Sequence, residues 1–224
     1  MKFSVISACF QQLSYLMENK KYWDAQTFKD FELILADDGS DDGSWAWAKE
    51  NKIKIVGNWD HRFDYDWTIH NKAANCATGD YLVWVMGDSY PKEDFLEQIN
   101  KLISPERVVN GMRINVDDRG NFISPDWRNK GIGDEVTALR VDWGNMTLNS
   151  MVMSRKVFNK IGGFYKGYKG YGRADIELVI RAKLLKVEMW VAPKAIVYHR
   201  VHKSAPENPE NVALFEKRTG RLII

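Results

Sequence analysis

The chain has 224 residues and a formal net charge of +2, with 45% hydrophobic and 28% charged residues. That is the balance of a globular domain able to bury a core without staples. Its Lys and Arg are dispersed, which excludes the basic stripe of a nucleic-acid binder. Two cysteines exclude a disulfide framework or a metal quartet, and no apolar stretch approaches the ~20 residues that span a bilayer. Cys9 and Cys76 read as small buried hydrophobes. The apolar run 3–10 is broken by two serines and lacks the length and cleavage site of a signal peptide. A cytoplasmic protein without a transmembrane segment is expected. Nine tryptophans suit a protein that stacks sugars or bases, or one with a bulky core.

In chain order, residues 2–8 predict a first strand. Residues 13–25 open with Leu13, Leu16 and Met17 at helical spacing. A second strand is expected over 31–36 and a short helix behind Asp and Ser caps over 43–52. Residues 53–57 predict a third strand, 67–78 a helix ended by Gly79, and 81–86 a fourth strand. Pro91 and acidic residues open a helix over 92–103. Strand–helix alternation with short links predicts right-handed crossovers and a mostly parallel sheet. The pattern then changes. A strand over 108–116 is followed by 117–145, rich in Gly, Asp and Asn, which reads as long loops of the kind that are usually functional. Residues 148–153 predict a strand, Ser154 caps a helix through 161, and 162–172 is dense in glycine. A helix over 173–186 and two short strands lead to Tyr198-His199. With no internal repeat and no linker, the chain reads as a single α/β domain over 1–202. Its central sheet is mostly parallel, with a small antiparallel element in the C-terminal half. Residues 203–224 form a tail.

Five constellations can carry chemistry. The run 81–86 ends abruptly in Gly87, Asp88 and Pro91. Ligands of open α/β sheets bind beyond the carboxyl ends of strands, where Asp88 stands. After the second strand comes Asp37-Asp38-Gly39-Ser40-Asp41-Asp42-Gly43-Ser44, able either to accept hydrogen bonds from a base and a ribose or to cap the next helix. Asn71-Lys72-Ala73-Ala74-Asn75-Cys76-Ala77-Thr78-Gly79-Asp80 has small residues for close helix–sheet packing. His70 and Asn71 at its start face a ligand or act as caps. The loop before it carries Asp60, His61, Arg62, Asp64 and Asp66, of which Arg62 can neutralise a diphosphate or be a surface charge. Gly162-Gly163-Phe164 precedes Gly170-Tyr171-Gly172-Arg173-Ala174-Asp175-Ile176-Glu177. Last is Tyr198-His199-Arg200-Val201-His202, where Arg200 or Lys203 can meet a diphosphate.

In this order and spacing, the segments resemble family 2 glycosyltransferases with the GT-A (Rossmann-like) fold. The resemblance covers nearly the whole chain outside the tail and implies a nucleotide-binding half over about 1–103 and an acceptor-binding half over about 104–202. It implies that Asp88, the last Asp of a D-x-D strand end in which Met86 replaces the first, holds Mn²⁺ or Mg²⁺ on the donor diphosphate. His199 is implied as a further metal ligand, with His202 behind it. Asp37 and Asp38 take the places that read uracil and ribose. Ala8-Cys9-Phe10 stands where Pro-Thr-Tyr is usual, so Ala8 and Phe10 line the base, with Phe10 stacking. Arg62, Asn71 and Gly87 fall on the donor side. Gly170 and Gly172 let backbone approach the donor sugar beside Tyr171. Asp175 is implied as general base, Ala174 replaces the usual Glu, and Glu177 is the weaker candidate, read as a cap or surface residue. The implied reaction is inverting transfer from a UDP-sugar to a glycan or other hydroxyl acceptor, with 117–145, including Trp127, Arg128 and Trp143, as an acceptor-facing lid. Two alternatives stand beside it. Met86 and Ala174, at normally acidic places, favour a degenerate binding module. A nucleotidyltransferase is disfavoured, because Cys9-Phe10-Gln11-Gln12 replaces the glycine-rich basic loop such enzymes carry.

Overall fold

A computed structural model of the chain describes residues 3–57, 67–129, 131–133, 138–203 and 205–220. The front half is built on β1 (Phe3–Cys9), whose residues are all buried, as expected of a central strand covered on both faces. It pairs in parallel with β2 (Phe31–Asp37) and β4 (Tyr81–Trp84), and β2 pairs in parallel with β3 (Lys54–Gly57). Crossover helices α1 (Leu13–Asp24), α2 (Ser44–Glu50) and α3 (Thr68–Cys76) connect them.

The back half joins through antiparallel pairs. Strand β9 (Met151–Ser154) runs against β4 and against β6 (Arg107–Val116). In turn β6 pairs in parallel with β10 (Glu188–Arg200), and β5 (Ser89–Pro91) closes antiparallel on β10. The main order is β3-β2-β1-β4-β9-β6-β10-β5. Two reversals across β9 make β10 and β6 run in the direction of β1–β4. All these strands therefore end at one carboxyl edge. Helix α5 (Arg155–Ile161) starts at Ser154, whose Oγ accepts from Val157 N as the sequence predicts. The turn before α6 (Ala174–Leu184) is tied to the start of α3, beyond the carboxyl end of β3, by Trp67 Nε1 donating to Gly170 O (2.9 Å), which puts the N-terminus of α6 at the carboxyl edge.

Several expectations need correction. The fourth strand stops at Trp84 rather than 86, and Ser89–Pro91 leaves to pair with β10. The helix after it, α4 (Phe95–Asn100), is shorter than 92–103. Strand β9 starts three residues later than 148 because Ser150 has φ 112°, outside strand geometry. The last two predicted strands are one, β10, with a register shift between Ala192 and Ile196. Pro193, which has no N–H to give, lies inside that irregular stretch. The 117–145 segment is not all loop: β7 (Phe122–Pro125) pairs with β6, and β8 (Leu139–Arg140) pairs with β10. Met17 is exposed, and the inner face of α1 is Leu16, Asn19 and Trp23. Cys9 is buried as expected, but Cys76, ending α3, is exposed. The tail contains α7 (Pro209–Thr219), capped by Asn208 with Pro209 in its first turn. No helix among the described residues is long and apolar enough to cross a membrane.

Candidate active site at the carboxyl edge

The turn after β4 is pinned from every side. Gly87 N donates to Ala8 O across the β1 and β4 ends (2.9 Å). A Cβ on Gly87 would collide with Gln12 and reach 3.0 Å from Cys9 Cβ, so only glycine lets the two strand ends meet. Buried Asn19 on α1 donates to Gly87 O (2.8 Å) and Ser89 O (2.9 Å). Asn149 accepts from Met86 N (3.1 Å) and donates to Ser89 Oγ (2.5 Å). Between these anchors Asp88 is held still, with Ser89 Oγ donating to its Oδ1 (2.7 Å).

The other oxygen, Asp88 Oδ2, faces His202 Nε2 at 3.0 Å and His199 Nε2 at 3.5 Å. One ligand atom from each of the three residues lies within 4.8 Å of the others. Asn115 Oδ1 sits 3.2 Å from His199 Nδ1, and Asn115 Nδ2 donates to Ser124 Oγ, which fixes the amide's orientation. Lys203 O sits 3.3 Å from His202 Nδ1. Both rings therefore place N–H on Nδ1 and turn the Nε2 lone pair toward a carboxylate oxygen. Electron pairs converging like this need a proton or a cation between them. Consistently, the hydrogen bond to Asp88 lifts His202 to about 8 against burial. Burial alone would raise the Asp88 carboxyl, but His199 and His202 outweigh it and hold it well below the usual carboxylate range. One carboxylate and two imidazoles, with an oriented second ring nitrogen, fit a divalent transition ion such as Mn²⁺ better than Mg²⁺, which prefers oxygen. The sequence places His202 behind His199; in the fold it is the nearer of the two.

Arg200 N donates to Asp88 O (3.1 Å), but the Arg200 side chain points to the opposite face, as alternation in β10 requires. It is buried over Tyr15 and Tyr90, donates to Asn19 Oδ1 (2.9 Å) and is ion-paired with Glu18 (2.9 Å). It does not meet a diphosphate there. Lys203 is exposed just beyond His202.

At the end of β2, the Asp37 carboxylate is filled by its own turn. It accepts from Ser40 N (2.9 Å), Gly39 N (3.3 Å), Ser40 Oγ, Trp45 Nε1 (2.7 Å) and the Cys9 thiol (3.6 Å). A carboxylate offers about four lone-pair sites, so Asp37 is spent on shaping the loop. Asp42 is similarly spent, accepting from Leu13 N at the start of α1 (2.7 Å) and from Ser44. Asp38 lies between them, buried, with its N–H on Cys9 O. Ala8 is buried at the end of β1, and Phe10 just beyond is 45% exposed, an aromatic face left open at this edge.

His70 does not face a ligand. It is fully buried against Trp67 (5.5 Å) and Phe164 (4.8 Å), and burial pushes its pKa down to about 3, so it is neutral. Asn71 clasps the Gly162-Gly163-Phe164 turn, donating to Phe164 O (2.8 Å) and accepting from Phe164 N (2.8 Å). Its amide positions backbone. Arg62, with Asp60, His61, Asp64 and Asp66, lies outside the described residues.

Asp175 is half-buried in the first turn of α6, its Oδ1 accepting from Ile176 N (2.9 Å). Ala174 beside it is fully buried, so the side chain at 174 faces the core and the one at 175 is the acid that can reach a ligand. Glu177 is not a surface residue: buried, it is bonded by Arg181 and Arg218. Tyr171 in the preceding turn is exposed. Asp88 and Asp175, distant in sequence, thus share one edge of the sheet. Two recesses of about 430 and 360 Å³ lie at the opposite, amino-terminal edge, around Asp80 and Glu188, and neither holds this acid–histidine group.

Residues 4–179 match Glycosyl transferase family 2. The chain belongs to that family. Like its fold, the family 2 chain is similar to GT-A glycosyltransferases of known structure. It superposes on S. aureus TarS 1–349 in complex with UDP-GlcNAc with a TM-score of 0.77 at 22% identity, over 100% of this chain and 68% of that one. With GalNAc-T7 in complex with UDP, GalNAc and Mn²⁺ the TM-score is 0.79 at 14% identity, over 98% of this chain and 48% of that one. Among curated relatives, it is 26% identical over 214 residues to the O-antigen biosynthesis protein RfbC of Myxococcus xanthus, covering 83% of this chain and 16% of RfbC. It is 27% identical over 129 residues to the glycosyltransferase GlyG of Streptococcus pneumoniae serotype 4 (strain ATCC BAA-334 / TIGR4), covering 53% of this chain and 42% of GlyG. The family 2 chain thus spans less than half the length of either curated relative.

Proposed function

We propose that the chain is an inverting, metal-dependent glycosyltransferase that moves a sugar from a UDP-sugar to a hydroxyl of a glycan or other acceptor. The convergence of Asp88, His199 and His202 at the edge that also carries Asp175 is the observation that supports it most. UDP as the nucleotide draws on the complexes named for TarS and GalNAc-T7, and Mn²⁺ on the latter together with the donor set here. A cytoplasmic location, read from the sequence, belongs to the same proposal.

In this reading Phe10 stacks on the base and Asp38 takes uracil or ribose from the loop that Asp37 shapes, with Ala8 and Gly87 letting the nucleotide lie close to backbone. Arg62 and Asn71 remain on the donor side, Asn71 through the turn it holds. Asp88, His199 and His202 would hold the cation, which when bound would offset negative charge on the departing diphosphate. Gly172 and Tyr171 border the sugar. Asp175 accepts the acceptor hydroxyl's proton as that oxygen bonds to the anomeric carbon. The bond from that carbon to the diphosphate oxygen breaks, and its electron pair leaves with UDP. A general base of this kind contributes ~10²–10⁴ in rate. Assaying UDP-sugar turnover with Mn²⁺ in the wild type and in Asp175→Asn tests the reading. Nucleotide binding with no turnover in the wild type supports the degenerate module instead.

A further inference from the structure

Helix α7 lies beyond the residues that match the family, and it reaches back to the turn in front of Asp175. That turn, Gly170–Arg173, has positive φ at Gly170, Gly172 and Arg173, outside regular helix and strand geometry. Gly170 O accepts from Trp67 Nε1 (2.9 Å) and Gly172 O from Ala174 N (3.0 Å), and further partners come from α7 and the residues leading into it. Asn211, 1% exposed, accepts from Lys169 N (3.0 Å) and shares its two N–H groups among Lys169 O (2.7 Å), Gly172 O (3.1 Å) and Tyr171 O (3.3 Å). Asn208 adds its backbone N to Tyr171 O (3.0 Å) and its side chain to Lys169 O (2.9 Å). Gly172, whose φ of 107° favours glycine, packs so closely that a Cβ there would lie 2.7 Å from Glu207 Cγ. Glu207 also pairs with Arg173, the residue that caps α6 (2.7 Å). At the far end of α7, Arg218 binds the buried Glu177 (2.7 Å), in the same first turn of α6 as Asp175.

We infer that α7 is a strap that holds the Gly170–Arg173 turn and so positions Asp175, with Asn211 as the positioning residue. The contribution to sugar transfer rests on Asp175 being the base; the holding of the turn does not. A base must sit within hydrogen-bond reach of the proton it takes, and misplacement by about 1 Å can cost ~10² in rate. An amide that binds the backbone of Tyr171 and Gly172 in this irregular turn and of Lys169 beside it is therefore a control on kcat from outside the site. An anchor from the front half, Trp67, holds Gly170 independently of α7.

The test uses the full chain as wild type, Asn211→Leu and Asn208→Ala. Hydrogen exchange is read by mass spectrometry on peptides covering 165–175 and on peptides covering β1 and β4, alongside UDP-sugar turnover. In Asn211→Leu the turn should exchange faster by about tenfold or more while β1 and β4 keep their protection. Turnover should fall in kcat by ~10–10², with UDP affinity within about threefold. Asn208→Ala, which keeps Asn211, should shift both readouts the same way by less. Unchanged exchange of the turn in both variants overturns the strap. So does an equal loss of protection across the whole chain in both, which would mean α7 only supports the fold. Exchange confined to the turn with unchanged kcat overturns the positioning role. If the wild type turns over no UDP-sugar, the transferase reading fails on its own, and exchange still decides whether the strap exists.

Discussion

His202 Nε2 lies 3.0 Å from Asp88 Oδ2, nearer than His199 Nε2 at 3.5 Å, although the sequence favours His199. The reason is where β10 ends. Alternation puts His199 on the site face and Arg200 on the other. The chain leaves the strand after Arg200, which lets His202 turn back toward Asp88.

Replacing either histidine should therefore weaken Mn²⁺ binding. His202→Ala and His199→Ala should each raise the Mn²⁺ concentration needed for half-maximal UDP binding by about tenfold or more. Asn115→Ala, which frees the His199 ring, should cost ~10–100-fold. Calorimetric titration of Mn²⁺ in the presence of UDP checks all three, and no change in His202→Ala removes it from the site.

Asp175→Asn should keep the fold, since an amide can still accept from Ile176 N. Turnover should fall by ~10²–10⁴ in kcat while UDP and Mn²⁺ affinities stay within about twofold. Steady-state kinetics alongside UDP titration separates the two effects. Undiminished kcat would move the base elsewhere.

Glu32 gives the clearest pH dependence. Burial would raise its carboxyl, but bonds from Lys54, Thr78 and Ser4 outweigh it and hold it at about 2, below the ordinary value of 4.5. A depressed carboxyl stabilises above the unfolded value and loses that contribution as pH falls toward the folded one. Glu32→Gln should thus cost ~1–2 kcal/mol at pH 7. The gap from wild type should narrow between about pH 4.5 and pH 2 in denaturant titrations. A gap that stays constant with pH contradicts this.

Glu177→Ala should be the most destabilising substitution of an acidic residue near the site. It leaves Arg181 and Arg218 facing each other without the buried carboxylate. Roughly 3 kcal/mol is expected, the low end for a broken buried pair because both guanidiniums reach solvent. A thermal melt reads it, and a Tm within 1–2 °C of wild type would contradict it.

The parallel front half was legible because its strands are mostly apolar runs separated by short helix-like segments. Asp88 and Asp175 drew attention because a strand end and a glycine turn each leave a mark on sequence. What stayed hidden was polar. The inner face of α7 is Asn211, Phe215 and Thr219, and only one of these is apolar, so hydropathy shows no stripe. Asn19 and Asn149 hold the Asp88 turn, yet nothing local distinguishes them from surface asparagines. His70, Glu177 and Arg200 were misplaced for the same reason: each is a polar group buried against partners distant in sequence.

The most direct test is UDP binding with and without Mn²⁺, measured by thermal shift on the wild type and Asp88→Asn. UDP with Mn²⁺ should stabilise the wild type, by about 2.7 kcal/mol at a hundredfold excess over Kd, UDP alone much less, and Asp88→Asn should lose the Mn²⁺-dependent part. Equal stabilisation without metal, or an Asp88→Asn response matching the wild type, would contradict a metal-assisted nucleotide-sugar site at this edge.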